Sequence, residues 1–503
     1  MIPGAATQVR ALLSLRWEMV RTPGLRLGLG LVALGVAYLL VEVARLTGHG
    51  LEPAALETAR RLAPQAYLGF GVLAVVAPLT AGGGNDVIPS QELVAFPVRS
   101  RTLFVGGLLL APVNLVWVLQ IFALVAETAF LTQGGHAWPG ALTTTAYIAA
   151  TTVLGQGVAW AVAGLRQSRR GRQCAATLSA AVLATAVLVV KGGAGPAVLD
   201  ASPTHSVVRG VVAGAQARWS AWALPTAVLL LLLAGGLLAG ARACAWSLRR
   251  PGDGGASTDA RVLRRRAPRT SALQALLALD RASAWRAPAA RRGALVLAVL
   301  PGVIAAGAAV PWESLIVLPG LVAAGAGLLF GVNAFCLDSS GAVWLASLPH
   351  DPALLFRSKL QVVAEVVGVG VLVAVVAGSS RSAGLPSRAI VVGIVVSGVV
   401  CTALTAATCM SLSVRHPHRA ELRGPRDAVA PPGALALASA RLALPAGAVG
   451  IVLESASRTG LWWLPVLVAL PVLALAAVSL RRSARRWGDP LVRSRVVQVV
   501  SAG

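Results

Sequence analysis

Six polar side chains stand inside apolar runs long enough to cross a bilayer. Asn114, Gln120 and Glu127 share one run, and Gln156, Glu365 and Arg441 stand in three others. An ionisable or amide group is costly in hydrocarbon, so it faces water or a bundle interior, or it pairs. These residues therefore support two chemistries, lining a translocation path or structural pairing near a span's end. Glu127 and Glu365 fit pairing well, and Arg441, about two turns into its span and one turn before Pro445, is the least easily explained that way. The rest of the reactive inventory is sparse. The only lysines are Lys191 and Lys359, and neither belongs to a GxxxxGKS/T phosphate loop. His416 and His418 are one residue apart with no third metal ligand evident nearby. The five cysteines show no CxxC spacing and sit in or beside apolar runs, as small packing residues do. No HExxH, GxSxG or paired-carboxylate pattern stands out. The chain is expected to catalyse nothing itself and to hold no metal or cofactor.

The elements that must position these residues are apolar helices. Of 503 residues, 56% are hydrophobic and 13% charged, with mean hydropathy +0.75. A soluble chain of this length carries roughly 25% charged residues. Runs of about 20 apolar residues recur, the length that spans the hydrocarbon core as a helix. The expected fold is an all-α polytopic membrane protein with about twelve transmembrane helices arranged as two six-helix repeats. In the first half the spans fall near 27–46, 66–83, 103–130, 141–164, 174–190 and 221–246. In the second they fall near 293–311, 315–337, 359–379, 388–414, 435–453 and 461–480. No cleavable leader is expected, because the run from Leu27 to Val41 ends without a small-residue cleavage site.

Residues 1–246 form the first half, opened by an amphipathic stretch at 7–24 in which Val9, Leu12, Leu13 and Trp17 interleave with arginines. Residues 247–270 read as a basic cytoplasmic linker. The second half, 271–480, restarts with its own amphipathic lead-in, where Arg286-Ala287-Pro288 lines up with Arg21-Thr22-Pro23. Residues 481–503 read as a basic tail. The net charge of +25 is spread over short arginine-rich loops and forms no single basic face, which argues against nucleic acid and for anionic lipid headgroups. About three quarters of the Lys and Arg fall on one side of the alternating loops. By the positive-inside rule that side is cytoplasmic, and both termini lie there, in a cell membrane crossed many times.

One stretch occurs twice. Leu93-Val94-Ala95-Phe96-Pro97 and on to Leu103-Phe104 aligns without a gap on Leu345-Ala346-Ser347-Leu348-Pro349 and on to Leu355-Phe356. Each copy lies between the second and third spans of its half, on the expected cytoplasmic side. A repeated, half-apolar elbow of this kind suits docking into a partner's groove.

With an amphipathic lead-in, six spans and this elbow, each half resembles the ABC-2-type exporter permeases, and the whole chain resembles bacterial versions with two fused halves. The string from Phe330 through Asn333 and Asp338, then Gly341, Leu348-Pro349, Phe356 and Lys359, is similar to the family's elbow region. The first elbow departs from it, lacking the Asp-x-x-Gly lead and the trailing lysine. The resemblance implies a permease subunit of an ATP-driven exporter. Its elbows (Leu93, Phe96, Pro97 and Phe104; Leu345, Leu348, Pro349 and Phe356) would receive the stroke of a separate cytosolic ABC ATPase, in two copies. ATP and Mg would be bound by that partner alone. The substrate would be a hydrophobic, amphipathic or lipid-like small molecule. The family's short helices between spans five and six would map to residues 191–220, while Glu454–Gly460 is too short to hold them. The alternative is a secondary, ion-coupled carrier of major-facilitator layout, which two six-span halves and a long basic central loop also describe. Against it, Gly82–Thr102 lacks a GxxxDRxGRR-like turn.

Overall fold

The computed structural model describes residues 53–80, 99–109, 115–133, 135–165, 201–249, 271–307, 309–329, 334–418 and 432–501, with scattered positions between 167 and 192. Among the described residues the chain is helical, with no strand, and it divides into two compact units whose boundary falls at residues 254 and 255. Five of these helices are long and apolar enough to cross a membrane: 137–165, 219–249, 352–379, 388–415 and 464–488. The protein is an all-α membrane protein.

The first unit contains α1 (Pro53–Thr80), α2 (Ser100–Leu109), α3 (Leu115–Leu131), α4 (Ala137–Leu165), α5 (Pro203–Ala215) and α6 (Trp219–Arg249). One span was expected over 103–130, and the described residues form two helices there. The amphipathic stretch and first span (7–46) lie outside the described residues, as does most of the fifth span. Helices α4 and α6 run along each other, with α5 laid against both. The core gathers Tyr67, Phe70, Leu124, Tyr147, Val207 and Val211. Small residues bring backbones together where lipid supplies no hydrophobic drive between helices. A side chain at Gly155 would start 2.1 Å from the Ala74 carbonyl oxygen of α1. At one end, Trp138 stacks on Trp219 and meets Trp222 edge-on, the placement of an interfacial aromatic belt. Along α6, Leu224, Leu231 and Leu238 form an exposed stripe at seven-residue spacing, a face for lipid tails.

The second unit begins with α7 (Ala272–Arg286), whose N-cap Ser271 accepts from Gln274 N at 3.2 Å. It continues with α8 (Pro288–Gly307), a 3-10 turn at Trp312–Val317, α9 (Leu318–Leu329), a second 3-10 turn at Cys336–Asp338 and the short α10 (Gly341–Ser347). Then come α11 (Pro352–Ser379), α12 (Arg388–Arg415), α13 (Pro432–Arg458), α14 (Leu464–Gly488) and α15 (Pro490–Ser501). The tail expected from 481 onward is thus helical through Ser501. Helix α8 packs along α11, α9 against α13, and α12 against both α13 and α14. Gly320 serves the second unit as Gly155 serves the first, since a side chain there would start 2.6 Å from the Ala446 carbonyl oxygen. Pro301, Pro445 and Pro471 stand within helices, tolerated in membranes because neighbouring groups re-satisfy the freed carbonyls.

Candidate functional site

The second elbow is three short pieces set on a buried ionic joint. Its first piece is the 3-10 turn ending at Asp338. Ser339, at φ 45°, reverses the chain into α10, and Leu348–Asp351 lead on to α11. Asp351 starts that span by accepting from Ala353 N at 2.8 Å, with Pro352 filling the first helical position.

Beneath the turn, Lys359 of α11 places its Nζ 2.5 Å from Asp338 Oδ1 and 2.7 Å from Asp280 Oδ1 of α7. The Ser358 hydroxyl donates to the other oxygen of Asp280. All three charged side chains are no more than 3% exposed. Burial pushes the Asp338 carboxyl above the usual carboxylate range, against the downward pull of Lys359. Burial also pushes the neighbouring Cys336 thiol up to about 12, so it stays protonated and unreactive. A buried ion pair is poor evidence of net stability, but removing one partner strands the others without water. The network thus locks α7, the elbow and α11 into one body. A second, exposed clamp joins the same two helices, where Arg281 forks onto Glu365 at 2.8 and 2.5 Å and Gln361 adds a bond at 3.0 Å.

The apolar residues of the elbow divide by direction. Leu345 and Phe356 face inward, packed in one core with Phe335, Met410, Trp487 and Val496. Phe335 stacks on Trp487 with centroids 4.3 Å apart, and Trp487 Nε1 donates to the Pro352 carbonyl at 2.9 Å. Leu348 and Pro349 face outward. So do Val343 and Trp344, the latter 60% exposed, and neither was singled out from the sequence. The signal was there: Trp344 and Leu348 are four residues apart, one helical turn, and share a face. The helix α15 packs on α10 from the other side, leaving a cavity of about 90 Å³ lined by Leu345, Leu348, Trp487 and Arg493.

In the first elbow, Leu93, Phe96 and Pro97 lie outside the described residues. Phe104, on α2, is buried against Gly240 of α6, where a side chain would start 2.2 Å from the ring.

The six intramembrane polar residues are disposed differently. Asn114 and the Gln120 side chain lie outside the described residues. Gln156 is buried on α4. Glu127 is half-buried beside Thr128, within electrostatic reach of Tyr67, and among the described residues its enclosed Oε1 has no hydrogen-bond partner. Glu365 is taken up by Arg281. Arg441 is exposed and its charge reaches Arg415 and His416 at the end of α12, so it stands level with a helix terminus. Among the described residues, no three His, Cys, Asp or Glu side chains gather as metal ligands. Comparison with family models, curated proteins and solved structures gives no match to this chain.

Proposed function

We propose that the chain is the membrane-spanning subunit of an ATP-driven exporter of the ABC-2 permease type. It would have about twelve spans in two six-helix halves, termini and elbows in the cytoplasm of a bacterial cell, and the plasma membrane as its site. It works with a separate cytosolic ATPase, in two copies, that binds ATP and Mg and pushes on the elbows. The substrate is a hydrophobic or amphipathic small molecule.

One observation carries the reading. The second elbow shows Val343, Trp344 and Leu348 outward while its back is held by Lys359, Asp338 and Asp280. An apolar face on a braced surface helix is what a partner's groove can both grip and move. The short helix α5 between the positions read as spans five and six supports the same reading. The test is to purify the native complex and look for a bound subunit with a phosphate loop. Under this reading ATP hydrolysis appears in the complex and is absent from the isolated chain. Nucleotide turnover by the chain alone, or a transport-competent preparation lacking any ATPase, contradicts it.

A proton-coupled carrier is the second reading, and the enclosed, unpaired Oε1 of Glu127 favours it. There Glu127→Gln abolishes transport driven by a pH gradient, whereas an ATP-driven exporter has no such dependence.

A further inference from the structure

Five arginines and one histidine meet where the helices of the second unit end. Arg415 and His416 close α12, Arg441 stands in the third turn of α13, Arg482 and Arg486 lie one turn apart on α14, and Arg495 is on α15. The last three helices all pack against α12. Arg415 lies within electrostatic reach of Arg441, Arg482 and Arg486, and His416 within reach of Arg415, Arg441 and Arg495. All six side chains are exposed. No carboxylate among the described residues pairs with any of the five arginines. Asp489, three residues from Arg486, accepts from Leu491 N at 2.9 Å.

An arrangement like this repels itself. The carbonyl ends of α12 and α14 offer each helix terminus about half a negative charge, which offsets only part of five cations. Arginine, unlike lysine, presents planar donor forks that match the oxygens of a phosphate in pairs. We propose that Arg415, Arg441, Arg482, Arg486 and Arg495 form one binding site for a phosphate group at this end of the second unit. Two sources supply that chemistry: the headgroup of an anionic phospholipid, and a free phosphate in solution. Leu475, exposed two helical turns before Arg482 and on the same face of α14, leads up to the site, and a basic pocket between helices is a known form of headgroup recognition.

The test uses the full chain in detergent and in nanodiscs. Phosphatidylglycerol and inorganic phosphate are titrated separately, with phosphatidylcholine as the neutral control. Wild type should be stabilised by at least one of the two anions, less so as salt is raised. Stabilisation by phosphatidylglycerol alone assigns the site to headgroups, and by inorganic phosphate to a soluble anion. Arg415→Gln/Arg441→Gln and Arg482→Gln/Arg486→Gln should each weaken the effective anion at least tenfold. Arg481→Gln/Arg485→Gln, the same charge change on another face of α14, should leave affinity within twofold. Without phosphate, the site variants should melt at or above wild type, because removing arginines relieves repulsion; arginines with a merely structural role would lower the melting point. Equal loss in site and control variants reduces the cluster to diffuse positive charge and overturns the proposal. So does an absence of stabilisation by either anion.

Discussion

Two buried polar clusters, one in each unit, differ in kind. In the first unit the Tyr67 hydroxyl lies 2.6 Å from that of Thr144 and 2.9 Å from that of Thr128, and those two threonines are 2.7 Å apart. Tyr147 donates to the Tyr67 carbonyl at 2.6 Å, and Thr128 donates to the Leu124 carbonyl. Every member is neutral, and the cluster ties α1, α3 and α4 together inside the bundle. In the second unit the cluster is charged, and it ties α7 and the elbow to α11. A neutral network fixes how helices pack, since each member can be satisfied by its neighbours. A charged one at the root of a surface elbow makes a joint, which comes apart if one partner is lost. The elbow also shares a buried apolar core with Met410 and Trp487, and the ionic joint ties its root to α7 and α11.

The sharpest way to break the comparison is Lys359→Met. It leaves two buried carboxylates without their cation, a loss of about 3–5 kcal/mol. The variant should accumulate poorly and melt far below wild type in detergent. Neutralising all three positions, with Asp280→Asn and Asp338→Asn added, should recover most of the loss. A single variant that melts like wild type would show that charge does not hold the joint. The neutral cluster should respond more gently. Tyr67→Phe removes one hydroxyl and should cost about 1 kcal/mol. Adding Thr128→Val should cost less than the sum of the two changes, because both act on one network. A loss at Tyr67 as large as that at Lys359 would erase the distinction between the clusters.

The smallest effect expected is on pH. Partial desolvation at the end of α12, then the charges of Arg441, Arg415 and Arg495, hold the His416 imidazole below its ordinary value. The unfolded chain therefore binds that proton more tightly. Stability from neutral His416 is present above about pH 6.5 and declines as pH falls through that value toward the lower folded one. In phosphate-free buffer, His416→Gln should flatten the acid side of the melting curve. An unchanged slope would remove His416 from the cluster's electrostatics.

Much of this fold was legible in the sequence because bilayer physics writes in long runs. The expected spans at 141–164, 221–246 and 388–414 lie within a few residues of the helices α4, α6 and α12. The reading of 481–503 as a basic tail did not include a helix there, and in α15 Val496 and Val500 are buried. At the elbow the apolar residues were visible but their directions were not. Leu345 and Phe356 read as docking anchors until Trp487, well over a hundred residues away, turned out to cover them. The partnership of Lys359 with Asp280 and Asp338 had no local signal at all, since it joins three elements by tertiary packing.

The measurement that bears most directly on the central claim is partner binding by a chain altered only on the elbow's outer face. Val343→Ala/Trp344→Ala removes exposed apolar area and leaves the buried joint, its core and the cavity lining untouched. Anchors at the centre of an interface typically cost about 2 kcal/mol or more when truncated, which is roughly 30-fold in affinity. The account expects a chain that inserts and melts like wild type, yet binds its ATPase at least that much more weakly and no longer transports. Transport and partner binding at wild-type levels in that variant would contradict it.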